Sequence, residues 1–530
     1  MTQPITSDKV LRLSIKNTHQ DDLAMLGGWY NAHFDDLDKS RLQAKAARLG
    51  LVLSTHSLLS GELQLLDNAD LELAAQDLLL VKAQGKLLLL SCQPDGHHPL
   101  ICQAPTQAIF YPAKLQSQLT PSPLPAALSP LRSLQTLARV TGKLEQWLLQ
   151  DDWQKTCGSL MILHLDLPEP LMFVQVMPCR GFSRCETLLE QWVLGQFSET
   201  TASKAFSLAS HCSEHPLVTA RSALAIPTNQ TDLGALAKSW LAASVNMAFA
   251  NIQGIQQDRD TEYLHQFRVN LRKSRSVLSL LKGGFAGPQQ KALAAQLRTL
   301  MNRTNELRDL DVHLLAEDQY RENLPDNIKP QADKLVQRLR SKRQRAYRHL
   351  SSMLASKAFQ RQTRQIQQDI ADLPSGPKAH KAALEFGRKK LLKQVQRIIQ
   401  LAQQLSFDPS DQQIHNLRLA CKKARYLAEF FLPGLTGKTI LHLAKTLKKL
   451  TTLLGDFNDQ CVQQQELNSW LLQEQQQVPS DHSYIAYLQL LCQHCEDKKQ
   501  QARNKIIRQL LKQLTAASQQ QLLNALRKTI

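Results

Sequence analysis

The stretch HQFRVNLRKSRSVLSLLK, from His265 to Lys282, returns 150 positions later as HNLRLACKKARYLAEFF, from His415 to Phe431. Laid on each other, the copies match His265 with His415, Arg268 with Arg418, Arg272 with Lys422, Lys273 with Lys423 and Arg275 with Arg425. The register continues downstream without a gap, pairing Arg298 with Lys448, Leu300 with Leu450, Asp309 with Asp459 and Val312 with Val462. A repeat of this length predicts two copies of one structural unit facing each other.

At about 100° per residue, His265, Arg268, Arg272 and Arg275 fall within an arc of roughly 80° on a helix, and their four equivalents do the same. Beside each basic arc runs an apolar one: Leu264, Phe267, Leu271 and Leu278 in the first copy, Ile414, Leu417, Cys421, Ala428 and Phe431 in the second. The cations therefore border a core. One such helix is ordinarily a solvated basic face whose long stems lie on apolar surface. Two in register predict facing rows of Arg, Lys and His, a cationic groove suited to a polyanion.

Charge follows the same division. Residues 231–530 hold 46 Lys and Arg against 25 Asp and Glu, whereas residues 1–230 hold 18 against 21, so all of the net +18 lies in the C-terminal part. One domain is expected to handle anions and the other not. The start, MTQPITSDKVLRLSIKN, lacks the pattern of a signal peptide. The most apolar window, Leu78 to Ser91, is broken by Lys82, Gln84 and Lys86 and falls short of a membrane span. Ten scattered cysteines form no disulfide framework, which predicts a cytoplasmic protein. Cys492 and Cys495 make a C-x-x-C without a second ligand pair, in a stretch that reads as helix.

The fold class expected is α+β. Residues 1–205 read as a mixed, mainly antiparallel domain, with strands at Val10–Ile15, Leu49–Ser54, Gly61–Leu66, Leu87–Cys92, Leu160–Leu165 and Met172–Met177. A Pro-rich passage from Pro105 to Pro130 precedes a helix expected from about Leu131 to Leu149, and a further helix is expected at Cys185–Leu194. Residues 206–232 read as a linker. From 233 to 530 every segment reads as helix, divided at Gly283-Gly284, Pro325, Leu373–Pro377, Pro409, Pro433-Gly434 and Pro479.

The paired H-x-x-R-x-x-x-[RK]-K-x-R helices, each followed by a segment such as LRDLDV or LGDFNDQCV, resemble the CHAD domain, the conserved histidine α-helical domain. The resemblance spans roughly Leu233 to Ile530. It implies two pseudo-symmetric four-helix bundles around a basic surface that binds inorganic polyphosphate. On this sequence that surface would comprise His265, Arg268, Arg272, Lys273 and Arg275, with His415, Arg418, Lys422, Lys423 and Arg425 opposite. Arg298, Arg303, Lys448 and Lys449 would add to it. Asp309 and Asp459 are read as carboxylates beside a turn that orient an arginine or cap a helix. Histidines among so many cations should bind a polyanion more tightly as pH falls through their titration range.

CHAD domains often follow a CYTH domain, the triphosphate-tunnel fold, and residues 1–205 occupy that place in a divergent form. The strand that bears Glu-x-Glu-x-Lys in CYTH domains corresponds to Arg12-Leu13-Ser14-Ile15-Lys16, and a later Glu-x-Glu strand to Val174-Gln175-Val176-Met177. The Leu-Arg-x-Arg strand falls on Leu49-Gly50-Leu51-Val52. Phosphoanhydride cleavage needs carboxylates to hold Mg²⁺ or Mn²⁺ and cations to neutralise phosphates. Both sets are depleted, which predicts a domain without catalysis, no catalytic residues and no resident metal or cofactor. The alternative is a CYTH-CHAD triphosphatase, for which Mg²⁺ or Mn²⁺ would be required. Nucleic acid is the third partner class; 5% aromatic residues and no aromatic interleaving in the basic stripes speak against it. Polyphosphate, free or in granules, is the expected partner. No P-loop, G-x-S-x-G or H-E-x-x-H occurs.

Overall fold

The structure, a computed structural model, describes residues 27–30, 37–91, 100–104, 111–112, 128–167, 171–196, 231–322, 328–406, 408–434, 438–476 and 481–513. The expected strand Val10–Ile15, the Arg12–Lys16 motif, Pro325, Pro479 and nearly all of the linker at 206–232 lie outside them. The chain divides into two compact units, Met1–Ala220 and Arg221–Ile530.

In the first unit eight strands form an antiparallel half-barrel. They are β1 (Gly27–Tyr30), β2 (Val52–Asp67), β3 (Leu78–Ala83), β4 (Lys86–Ser91), β5 (Leu100–Gln103), β6 (Gln135–Gln150), β7 (Thr156–Asp166) and β8 (Leu171–Pro178). The sheet order is β1-β8-β7-β6-β2-β3-β4-β5. The apolar window at 78–91 is the β3–β4 hairpin, turned at Gln84 and Gly85, both with positive φ (49° and 72°), as a two-residue turn with the twist of its strands requires.

The helix expected from Leu131 to Leu149 is instead β6, which pairs with β2 from Val52↔Gln150 to Asp67↔Gln135. Its apolar residues serve both faces. Val140 and Leu144 join a cluster with Leu63, Leu88 and Leu163, while Trp147 and Leu149 pack on the other side with Leu160 and Val174. A strand covered on both faces loses the two-residue alternation, and the spacing Leu137, Val140, Leu144, Trp147 then imitates a helix.

Two helices, α1 (Lys39–Ala47) and α2 (Ser183–Gln196), lie on the Trp147 face through Leu42, Ala46, Leu189 and Trp192. The expected helix at Cys185–Leu194 is within α2. Asp38 caps α1 by accepting from Arg41 N at 2.8 Å, and its carbonyl accepts from Trp192 Nε1 at 3.1 Å.

The second unit is helical. Its elements are α3 (Leu233–Ala250), α4 (Ile252–Gln256), α5 (Thr261–Leu280), α6 (Gly287–Asn302), α7 (Asn305–Leu315), α8 (Lys329–Ala355), α9 (Lys357–Ala371), α10 (Ala383–Gln403), α11 (Asp411–Phe431), α12 (Lys438–Gln475) and α13 (His482–Gln513). The 150-residue offset runs through the architecture. It carries α3 onto α10, α5 onto α11, α6 with α7 onto α12, and α8 onto α13. The apolar arcs of both repeated helices are core, from Leu271 and Leu417 at 0% exposure to Ala428 at 4%. Trp240 of α3 stacks on Phe430 of α11 (4.9 Å, 18°) and meets Phe431 edge-on, joining the two repeats.

The copies differ in how the helix after the repeated one is built. Where α6 and α7 are separated at Arg303 and Thr304, α12 is continuous. The equivalent of Thr304 is Leu454, which is fully buried and takes no hydrogen bond that would interrupt the helix. The segments LRDLDV and LGDFNDQCV are accordingly not turns: the first lies in α7 and the second inside α12.

Candidate polyanion-binding cleft

The N-terminus of α5 is set by Asp260, whose carboxylate accepts from the amides of Glu262 and Tyr263 at 2.9 and 3.2 Å. The helix then runs to the Gly283-Gly284 turn, where Gly283 has φ 92°. That turn is tied to the connection between the repeats by Lys378 N donating to Gly283 O (2.7 Å) and Gly376 N to Gly284 O (3.0 Å). α5 also packs against α11, so the two repeated helices meet.

Beside this junction lies a cleft of about 790 Å³ walled by the C-terminal half of α5, the Gly283 turn, α6 and α11. Among the described residues its lining includes seven cations, Arg272, Arg275, Lys282, Lys291, Arg298, Lys422 and Lys423, and no Asp or Glu. Leu278, Phe285, Leu419 and Tyr426 supply the apolar part of the wall.

Five of the residues named from sequence line it: Arg272, Arg275, Arg298, Lys422 and Lys423. Lys282 and Lys291 were missed, though Lys282 stands seven residues beyond Arg275 and Lys291 seven before Arg298, a spacing that keeps each near the same helix face. Their equivalents in the second repeat are Leu432 and Leu441.

The other named residues are placed differently. Arg268 is buried, and its Nη1 donates to Met301 O (3.1 Å), Thr304 Oγ1 (2.8 Å) and Asn305 Oδ1 (2.8 Å) at the break between α6 and α7. Its equivalent Arg418 is half-buried, with no hydrogen bond or ion pair among the described residues. Arg425 pairs with Glu429 at 3.1 Å, and Arg303 reaches Gln362 at 3.4 Å. His265 and Lys273 are half-buried; His415, Lys448 and Lys449 are exposed.

The cations press on one another across the repeats. Burial, then Arg418 and Arg272, push the Lys422 ammonium down to about 8. Burial, then Arg298, lowers Arg275, and burial lowers Arg418, with Asp459 opposing and Arg272 adding. Burial likewise brings Arg268 down to about 10, with Arg272 adding to it. Asp309 stands in the field of Arg268 and Asp459 in that of Arg418, each raised by burial and lowered by its arginine. The two aspartates thus keep the same relation to the same arginine in both copies.

Comparison with known families places the helical unit. The CHAD domain family matches residues 240–468. Those residues are a CHAD domain. Solved structures similar to the chain include the CHAD domain from the plant Ricinus communis, at 22% identity and TM-score 0.40, covering 58% of this chain and 96% of that one. PptA from Streptomyces chartreusis matches at 15% identity and TM-score 0.42, covering 53% and 100%. A candidate adenylate cyclase from Vibrio parahaemolyticus matches at 9% identity and TM-score 0.20, covering 35% and 99%. No curated protein matches. Both repeated helices of the cleft fall inside the CHAD domain.

The half-barrel that precedes it is consistent with a CYTH-like fold. Its Val174-Gln175-Val176-Met177 segment lies in β8, where Val174 and Val176 pack toward α1 and α2 and Met177 joins the leucine cluster on the opposite face. Gln175, on that opposite face by alternation, is fully buried. An amide and a thioether thus stand where the resemblance would place metal-holding carboxylates. Among the described residues no cluster of three or more His, Cys, Asp or Glu could hold a metal, and no helix is long and apolar enough to cross a membrane.

Proposed function

We propose that the CHAD domain binds inorganic polyphosphate, free or in granules, in the cleft between α5, α6 and α11, without turning it over. The observation that carries this reading is the lining: among the described residues, seven cations drawn from both repeats and no carboxylate. Polyphosphate offers a dense line of anionic oxygens and no bases, so its binder needs cations and little else. Arginine forks at Arg272, Arg275 and Arg298 can each hold two oxygens, and the four lysines add point charges without geometric demand. In the empty cleft Arg272 repels Arg418 and Lys422. A threaded polyanion relieves that repulsion, and the apolar wall keeps the attraction from being screened as it would be on an open face.

The test is a competition at physiological salt between labelled long-chain polyphosphate and unlabelled polyphosphate or DNA matched in total phosphate. Polyphosphate should displace the label at much lower concentration than DNA. Equal competition would mean that the positive charge acts as a general polyanion surface and would overturn the selective cleft.

A further inference from the structure

A second cleft, of about 570 Å³, lies between α8, the C-terminal end of α12 and the N-terminal end of α13. One wall is basic: Lys334, Arg338, Lys342 and Arg345 follow one another along α8 at spacings that keep them on one helix face. The other carries two aromatic rings, Trp470 and Tyr484. Arg338 lies 4.6 Å and Lys334 4.8 Å from the Tyr484 ring centroid, and Lys342 Nζ lies 5.6 Å from that of Trp470. Cations interleaved with aromatics, which the linear sequence lacks, are thus assembled from three helices.

Two of the four cations are already neutralised, Arg338 by Glu474 at 2.8 and 3.3 Å and Lys334 by Asp481. Lys342 and Arg345 are exposed, and neither has an ion-pair partner among the described residues. The Trp470 ring is half-buried, backed by His313 at 5.1 Å. Among the described residues the flexible Lys342 side chain is the other group over the ring.

The internal repeat supplies a comparison. The equivalents of Trp470, Lys342 and Arg345 are Tyr320, Cys492 and Cys495. Tyr320 is 2% exposed with its hydroxyl on His313 Nδ1 at 2.5 Å, and Cys495 is buried. The equivalent positions are therefore uncharged, with Tyr320 and Cys495 buried and Cys492 half-buried. The open cation-and-ring arrangement, built from α8 of the first repeat and α12 and α13 of the second, has no counterpart at these equivalent positions, so it is not a by-product of the shared fold.

We propose that this second cleft binds a nucleoside phosphate, with the base stacked on Trp470 and the phosphates on Lys342 and Arg345. The volume lies in the range that encloses a small organic ligand. A bare phosphate chain has no use for an indole face, whereas every nucleobase does. Gln337 and Gln473, both lining the cleft, offer amides to the edge of the base. This goes beyond the polyphosphate reading and does not depend on it.

The test titrates ATP and tripolyphosphate against the full-length protein and three variants: Trp470→Leu, the double change Lys342→Glu with Arg345→Glu, and, in the first cleft, Arg272→Glu with Lys423→Glu. ATP affinity should fall roughly tenfold or more in the first two, as expected for losing a stacking platform or its phosphate contacts, and hold in the third. Tripolyphosphate, having no base, should be indifferent to Trp470→Leu. Loss of ATP binding with the first-cleft variant, ATP affinity unchanged in a folded Trp470→Leu protein, or no ATP binding at millimolar concentration would each overturn the proposal. Should Trp470→Leu fail to fold, the exposed Lys342 and Arg345 pair decides alone: undiminished ATP binding there overturns it. An oligoadenylate that competes far better than ATP through the same residues would support it and identify single-stranded RNA as the source of the nucleoside phosphate.

Discussion

Lys422 and Arg268 are both cations of the repeated helices, put to opposite uses. Lys422 faces the cleft with its ammonium pushed down to about 8 by burial and by Arg418 and Arg272. An anion beside it favours the charged form, so above that pH binding must draw a proton onto Lys422. Polyphosphate affinity should therefore weaken as pH rises through about 8, and Lys422→Arg, charged throughout, should flatten that part of a profile measured from pH 7 to 9.5. A variant profile as steep as the native one would assign the dependence elsewhere. Arg268 faces inward, clamping the break between α6 and α7. Arg268→Leu strands the partners of one guanidinium and should cost about 2–4 kcal/mol in urea denaturation. Arg272→Glu should leave stability within about 0.5 kcal/mol while weakening polyphosphate binding. The sequence places both arginines on one basic arc and cannot separate them, because the difference lies in Thr304 and Asn305, on another element.

At the scale of elements, punctuation was legible where Gly and Pro act on the backbone directly: Gly283-Gly284, Leu373–Pro377, Pro409 and Pro433-Gly434 all fall at helix ends. Proline and paired glycines act on the backbone locally, whereas the lone Gly387 and Gly455 are tolerated inside α10 and α12. Periodicity failed for β6, since a strand buried on both faces keeps no alternation to read. The connection between the repeats is a stricter case. Gly376 passes so close to the α5–α6 turn that a Cβ would lie 2.4 Å from Phe285 O and 2.5 Å from Gly283 O, both backbone atoms that cannot rotate away. Gly376→Ala should cost about 1–3 kcal/mol. Because that turn closes one end of the cleft, the variant should also weaken polyphosphate binding, whereas Gly455→Ala, inside α12 with open space around it, should cost no stability and leave binding unchanged.

Across the whole molecule, charge is divided unequally, with the net positive charge confined to residues 231–530. If a polyphosphate chain neutralises all seven lining cations, the logarithm of its affinity should fall against the logarithm of salt concentration with a slope of about −5, by analogy with single-stranded nucleic acid. A slope near −1 between 50 and 300 mM salt would mean contact with one or two cations and would count against a chain lying along the cleft. By itself the sequence determined the helical class of the second unit, its 150-residue repeat, the apolar faces of α5 and α11 and the CHAD resemblance. All of these rest on spacing within one element or on one copy compared with the other. Tertiary structure alone decided which cations share a cleft, that Arg268 is spent on the fold, that β6 is a strand, and that Trp470 and Tyr484 stand against the basic face of α8. Each of those depends on distances between elements far apart in the chain, and a periodicity carries no information about the neighbour an element will meet.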